Sequence, residues 1–204
     1  MELNTEEIVK RLLENLSNSD YIRPADIPGI DLYMDQVTTF MDKELASTKR
    51  YPEDKILTKT MINNYAKNNL LPPPVKKKYS KEHILVLVFI YYFKNLLSIK
   101  DIETLLNPVT EKFFQSDLGF DLTSIYREVF ESELEEIPNV QKDILSALER
   151  SGNRFQDAPE TEREFLKLFS FICTLSFDVY IKKQLIERLI DEIPSPVPQK
   201  KKKS

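Results

Sequence analysis

"TKTMINNYAKNNLLPPPVKKKYS", residues 58–80, decides how this chain is read. Thr58 can cap a helix beginning at Lys59, and the prolines at 72–74 stop it, because proline lacks the backbone donor and its ring clashes with the preceding turn. A helix is expected over residues 59–71. Its period places Met61, Ile62, Tyr65 and Leu70 on the inward side and leaves Lys59, Thr60, Asn63, Asn64 and Lys67 to solvent. Lys76, Lys77 and Lys78 then leave in a proline-braced extended run, too short for a hairpin of its own. Ser80 caps the next helix.

Outside this stretch the composition points to helices. Three glycines in 204 residues, with many Leu, Ile, Glu and Lys at helical spacing, predict a mainly α protein with few tight β-turns. At 41% hydrophobic and 30% charged, the chain can bury a real core. The longest apolar run, residues 84–93, is too short for a membrane span, and no signal-peptide pattern opens the chain. A soluble, cytoplasmic protein without a membrane partner is expected. The single cysteine, Cys173, has no partner for an internal disulfide.

Charge is uneven. Residues 49–100 hold eleven Lys and Arg against three acids, a net of +8, so the remainder of a chain at −4 carries −12. Phosphate contacts depend on the local patch, because salt screens charges beyond about 8–10 Å. An acidic body with a basic insert is compatible with nucleic acid.

Asn4-Thr5-Glu6-Glu7 reads as a capping box before an apolar stripe at Ile8, Leu12 and Leu16, predicting a first helix over residues 5–16. Asp31 can cap a helix bearing Met34, Val37, Met41 and Leu45 on one face. A helix apolar all round is expected over residues 81–97; it must be buried on all sides, by a second subunit or, the favoured reading, by residues 107–193 of the same chain. Ser98 caps a further helix that runs through Leu106 to a break at Pro108.

This order of Tyr65, Leu70-Leu71-Pro72-Pro73, the three lysines, Tyr79-Ser80 and Ser98-Ile99-Lys100-Asp101-Ile102 resembles the DNA-binding domain of the MerR-type regulators. The stretch from Ile30 to Ile84 also looks like a bacterial family catalogued only as a domain of unknown function. The MerR resemblance implies a winged helix-turn-helix with residues 59–71 as recognition helix, followed by a C-terminal helical region with a long final helix. The residues agree with that implication. Asparagine amides can donate to and accept from adenine in the major groove, and lysines attract phosphate. Double-stranded DNA is therefore the expected partner, met by Lys59, Thr60, Asn63, Asn64, Lys67, Lys76, Lys77 and Lys78. The rival from another class is a helical adaptor that binds protein without DNA.

The expected organisation is residues 1–49 as N-terminal helices packing on the reader, 50–106 as the reader, 107–193 as a helical oligomerisation or effector region, and 194–204 as a disordered basic tail. In the third region helices are predicted over residues 108–116, 122–134, 140–150 and 160–193. Along the last, Phe165, Ile172, Val179, Ile186 and Ile193 fall seven apart, a coiled-coil seam through which a homodimer can form. Phe169, Phe177, Tyr180 and Leu185 broaden that face enough for the central helix of a monomeric bundle instead. The aromatic cluster Phe113, Phe114, Phe120, Tyr126 and Phe130 reads as core packing ahead of an effector pocket, and no effector is named. Chemistry is not expected: the lone His83 has too few soft neighbours for a metal, and no phosphate-binding glycine loop, HExxH or GxSxG occurs. No cofactor is implied, and the chain is not read as an enzyme.

Overall fold

Nine consecutive side chains, His83 to Tyr91, are buried, and the fold is organised around them. A computed structural model describes residues 4–17, 21–117 and 119–194. Its elements run α1 (Thr5–Ser17), β1 (Leu32–Tyr33), α2 (Met34–Glu44), a 3-10 turn (Ala46–Thr48), α3 (Lys59–Lys67), β2 (Lys78–Tyr79), α4 (Lys81–Phe93), α5 (Ile99–Phe113), α6 (Leu122–Gly152) and α7 (Glu160–Asp191). The architecture is mainly helical, as the composition predicts. Among the described residues the only sheet is the antiparallel pair β1–β2, in the register Leu32↔Tyr79 and Tyr33↔Lys78.

The apolar helix α4 is the hub of the larger core. Phe89 meets Tyr126 at 5.4 Å and Phe130 at 5.6 Å between ring centroids, so α6 covers one side. Val37 and Met41 of α2, Ile62 of α3, and Ile102 and Leu106 of α5 join the same core. The Tyr126 hydroxyl donates to the Ile22 carbonyl at 2.7 Å, which ties the segment before α2 to α6. A smaller core lies apart: Val9 and Leu13 of α1, Ala147 and Leu148 of α6, and Phe171 of α7. α1 thus packs on α6 and α7, not on α2 and α3, and its buried stripe is Val9–Leu13, with Leu12 half exposed. The expected stripe through Ile8 and Leu12 was one position out of phase; the side chain of Leu16 lies outside the described residues.

Two prolines read as helix breaks sit inside helices. Pro108 lies within α5, whose apolar face continues across it from Ile102 and Leu106, both buried, to Val109 and Phe113, both packed on the core. Burial on both flanks outweighs the one hydrogen bond that proline removes. The boundary expected after Leu106 therefore falls within one element. Pro138 joins two predicted helices into the single α6. It lies in an exposed span between the two cores, where water can take the freed carbonyl. The basic tail expected over residues 194–204 lies, from 195 onward, outside the described residues.

Candidate nucleic-acid interface

α3 ends four residues before its expected terminus. Asn69 takes φ 58°, the left-handed conformation asparagine tolerates, and the Leu70 N–H donates to the Tyr65 carbonyl at 2.9 Å. This closing turn sends Leu70 and Leu71 into the core, so the prolines follow a helix that has already stopped. At the other end the Thr58 Oγ1 accepts from the Met61 N–H at 3.2 Å, as its capping role requires. Ile62 and Tyr65 are buried, while Met61, expected inside, is exposed. Lys59, Thr60, Asn63, Asn64 and Lys67 are all exposed, on the side of α3 away from the core.

The three lysines do not leave in an extended run. The Val75 N–H donates to the Lys78 carbonyl at 3.1 Å and the Lys78 N–H returns a bond to Val75 at 2.9 Å. Between them Lys76 and Lys77 have φ of 51° and 63°. Positive φ at both central residues of a doubly bonded two-residue loop is the type I′ turn, whose twist matches that of paired strands. The segment is still too short for a hairpin of its own: the turn is closed by the single bridge Val75–Lys78, and its far side is held by pairing with β1, where Tyr33 lies more than forty residues upstream of Lys78. Lys76 and Lys77 form its exposed tip. Lys78 is half-buried, its Nζ lying 5.3 Å from the centroid of the Tyr33 ring.

Tyr33 and Asp35, which sequence reasoning missed, connect the two parts of this surface. Asp35, in the first turn of α2, forms an ion pair with Lys59 at the start of α3, while Tyr33, two residues before it, receives Lys78. The hairpin and the start of α3 therefore flank one short segment. Nothing in residues 58–80 announces these partners, since they come from a strand pairing across the chain.

The structure also reduces the free positive charge. Lys49 pairs with Asp42 at 2.8 Å, and Lys94 turns inward to donate to the Ile56 carbonyl at 2.6 Å, where burial lowers its pKa. Lys67, Lys76 and Lys77 remain exposed cations of this surface, with Arg50 stacked on the exposed Tyr51 nearby in sequence.

His83 anchors the hairpin from below. Its Nδ1 accepts from the Ser80 N–H at 2.9 Å, and its ring meets Tyr79 edge-on at 5.5 Å and Phe114 at 4.7 Å. Burial lowers its pKa, and Nε2 has no hydrogen-bond partner among the described residues. The neighbouring Glu82 accepts from the Gln115 N–H at 2.6 Å, and burial pushes its pKa up. Together they join the base of the hairpin to the end of α5. Among the described residues no group of three or more His, Cys, Asp or Glu could hold a metal, and no helix is long and apolar enough to cross a membrane.

No significant match occurs among the curated proteins or among the solved structures. The profile of one family, described as a domain of unknown function (DUF1836), matches residues 22–129. That segment runs from Ile22 to Val129 and contains β1, the hairpin, α2 through α5 and the start of α6. On that match, which spans more than half of its length, the chain belongs to the DUF1836 family.

Proposed function

We propose that α3 and the lysine hairpin form a surface that reads double-stranded DNA, and that the protein is a sequence-specific transcriptional regulator acting in the cytoplasm. In this reading α2, α3 and the hairpin are a MerR-like winged helix-turn-helix. Asn63 and Asn64 address base edges in the major groove with Thr60, while Lys59, Lys67, Lys76 and Lys77 address phosphates. Lys78 serves by bracing the hairpin on Tyr33.

The observation that carries this reading is the occupancy of the turn. A type I′ turn is built most easily from Asn-Gly, because an ordinary L residue with left-handed φ costs on the order of 1 kcal/mol. Here both positions are lysine. Backbone strain maintained at an exposed tip fits a function that needs those charges there. Dimerisation through the helix at 160–193 would present two α3 helices to two half-sites, as many DNA readers do. The adaptor reading draws on the exposed apolar residues of α7, which the dimer also explains.

The test is binding to duplex DNA across a salt series, followed by selection from a random-sequence library to recover an operator. Affinity should fall with a log–log slope of about −0.9 per phosphate neutralised. Binding that ignores salt, or a library from which no sequence is enriched, overturns the reading.

A further inference from the structure

We infer that His83 is a latch for the lysine hairpin, closed while its ring is neutral and opened when the ring takes up a proton. What release of the hairpin does to DNA rests on the reading above; the latch itself does not.

His83 is the one histidine in the chain, and histidine is the side chain whose ordinary titration falls near neutral pH. It is 1% exposed and lies at the joint where β2 passes into α4. Nδ1 accepts from the Ser80 N–H at 2.9 Å, so the neutral ring carries its proton on Nε2, which has no acceptor among the described residues. A second proton can enter only at Nδ1. There it faces the Ser80 N–H, a donor set against a donor. The charged ring would also lie in the first turn of α4, where free backbone N–H groups already make the field positive.

The surroundings offset little of this. In the segment before β1, the Asp31 carboxylate favours the proton, but it is exposed and screened by water. The Pro72 and Pro73 carbonyls after α3 favour it too, without completing a bond to Nε2. β2 offers the Tyr79 ring and the end of α5 the Phe114 ring, both uncharged. Glu82, on α4 itself, is engaged by the Gln115 N–H, with Asp121 acting on it from the start of α6.

A protonated ring is therefore stable only where water reaches it, and to get there it must displace one of its two aromatic covers. The hairpin is the weaker cover. β2 has two residues, the turn is closed by the single bridge Val75–Lys78, and Lys76 and Lys77 hold left-handed φ. Phe114 is instead carried by the end of the 15-residue α5 and by the bond between Glu82 and Gln115. Acid thus lifts Tyr79, and with it the hairpin, while α4 and α5 stay in place.

Amide hydrogen exchange on the full chain without DNA tests this. Corrected for intrinsic rates, the opening that exposes the Ser80 and Lys78 N–H groups should grow several-fold from pH 7.5 to 5.5. Its limit is about tenfold, set by a histidine of ordinary pKa in the open form. Leu148 and Phe171, in the smaller core, should change less than Ser80. H83Q keeps an acceptor at that helix position and takes up no proton, so it should remove the response, and E82Q should keep it. A change below about twofold at Ser80 or Lys78, an equal change throughout the chain, a response that survives H83Q, or one lost in E82Q overturns the latch. The wild-type comparison needs no variant to fold. A hairpin indifferent to pH in a chain that binds duplex DNA overturns the latch and spares the reading above.

Discussion

Replacing Lys76 and Lys77 with Asn and Gly tests the geometry and the function of the hairpin together, because the two predict opposite signs. The turn holds both residues at left-handed φ, a conformation that costs an ordinary residue roughly 1–2 kcal/mol. Asparagine tolerates it and glycine adopts it freely, but glycine returns roughly 0.5–1 kcal/mol through the greater entropy of its unfolded chain. The expected net gain in stability is about 1 kcal/mol, which in a protein of this size raises the melting temperature by about 2–4 °C. For DNA the change is a loss. A lysine neutralising one phosphate contributes a salt slope of about 0.9, worth about fivefold in affinity at 0.15 M salt, so losing two weakens binding about thirtyfold and lowers the slope by about 2. Calorimetry measures the first effect, and fluorescence anisotropy across a salt series measures the second. A variant that melts lower refutes the strained turn. One that binds with unchanged affinity and slope refutes the contact between hairpin and phosphate.

Asn64→Ala should cost about 1–3 kcal/mol on the selected operator and relax preference at one base pair, while binding to unrelated duplexes stays constant; titration of single-base operator variants reads this directly. His83 is held neutral by burial, its folded pKa below the usual value, so its contribution to stability is present above pH 6.5 and is lost as pH falls through 6.5 toward that lower value. Urea midpoints measured between about pH 7.5 and 5 should fall, and H83Q should flatten that fall. Phe89→Ala should destabilise the fold by about 3–5 kcal/mol, since the ring is buried against Tyr126 and Phe130; a urea midpoint shift much below that places the core elsewhere.

Local signals were reliable where the physics is local. Thr58 and Ser98 cap their helices as their side chains dictate, and Asn69 closes α3 in the conformation its residue type permits. The exposed character of Lys59, Thr60, Asn63, Asn64, Lys67, Lys76 and Lys77 followed from helical period and charge alone. Errors appeared where a local preference competes with burial. Pro108 and Pro138 carry a strong local tendency to stop a helix, yet the chain gains more by keeping an apolar face continuous or by leaving the freed carbonyl to water. The buried face of α1 differs from the one its own spacing predicts, because Val9 and Leu13 are selected by distant Ala147, Leu148 and Phe171.

Sequence by itself determined that the protein is helical, that α4 must be enclosed, and that positive charge gathers around residues 58–80, because period, composition and caps act over a few residues. Tertiary structure alone decided that three lysines become a hairpin tip, that Tyr33 and Asp35 stand between it and α3, and that α7 leaves apolar side chains uncovered. The reason is that strand pairing and helix packing join segments tens of residues apart, and the energy that places them belongs to the contact, not to either segment.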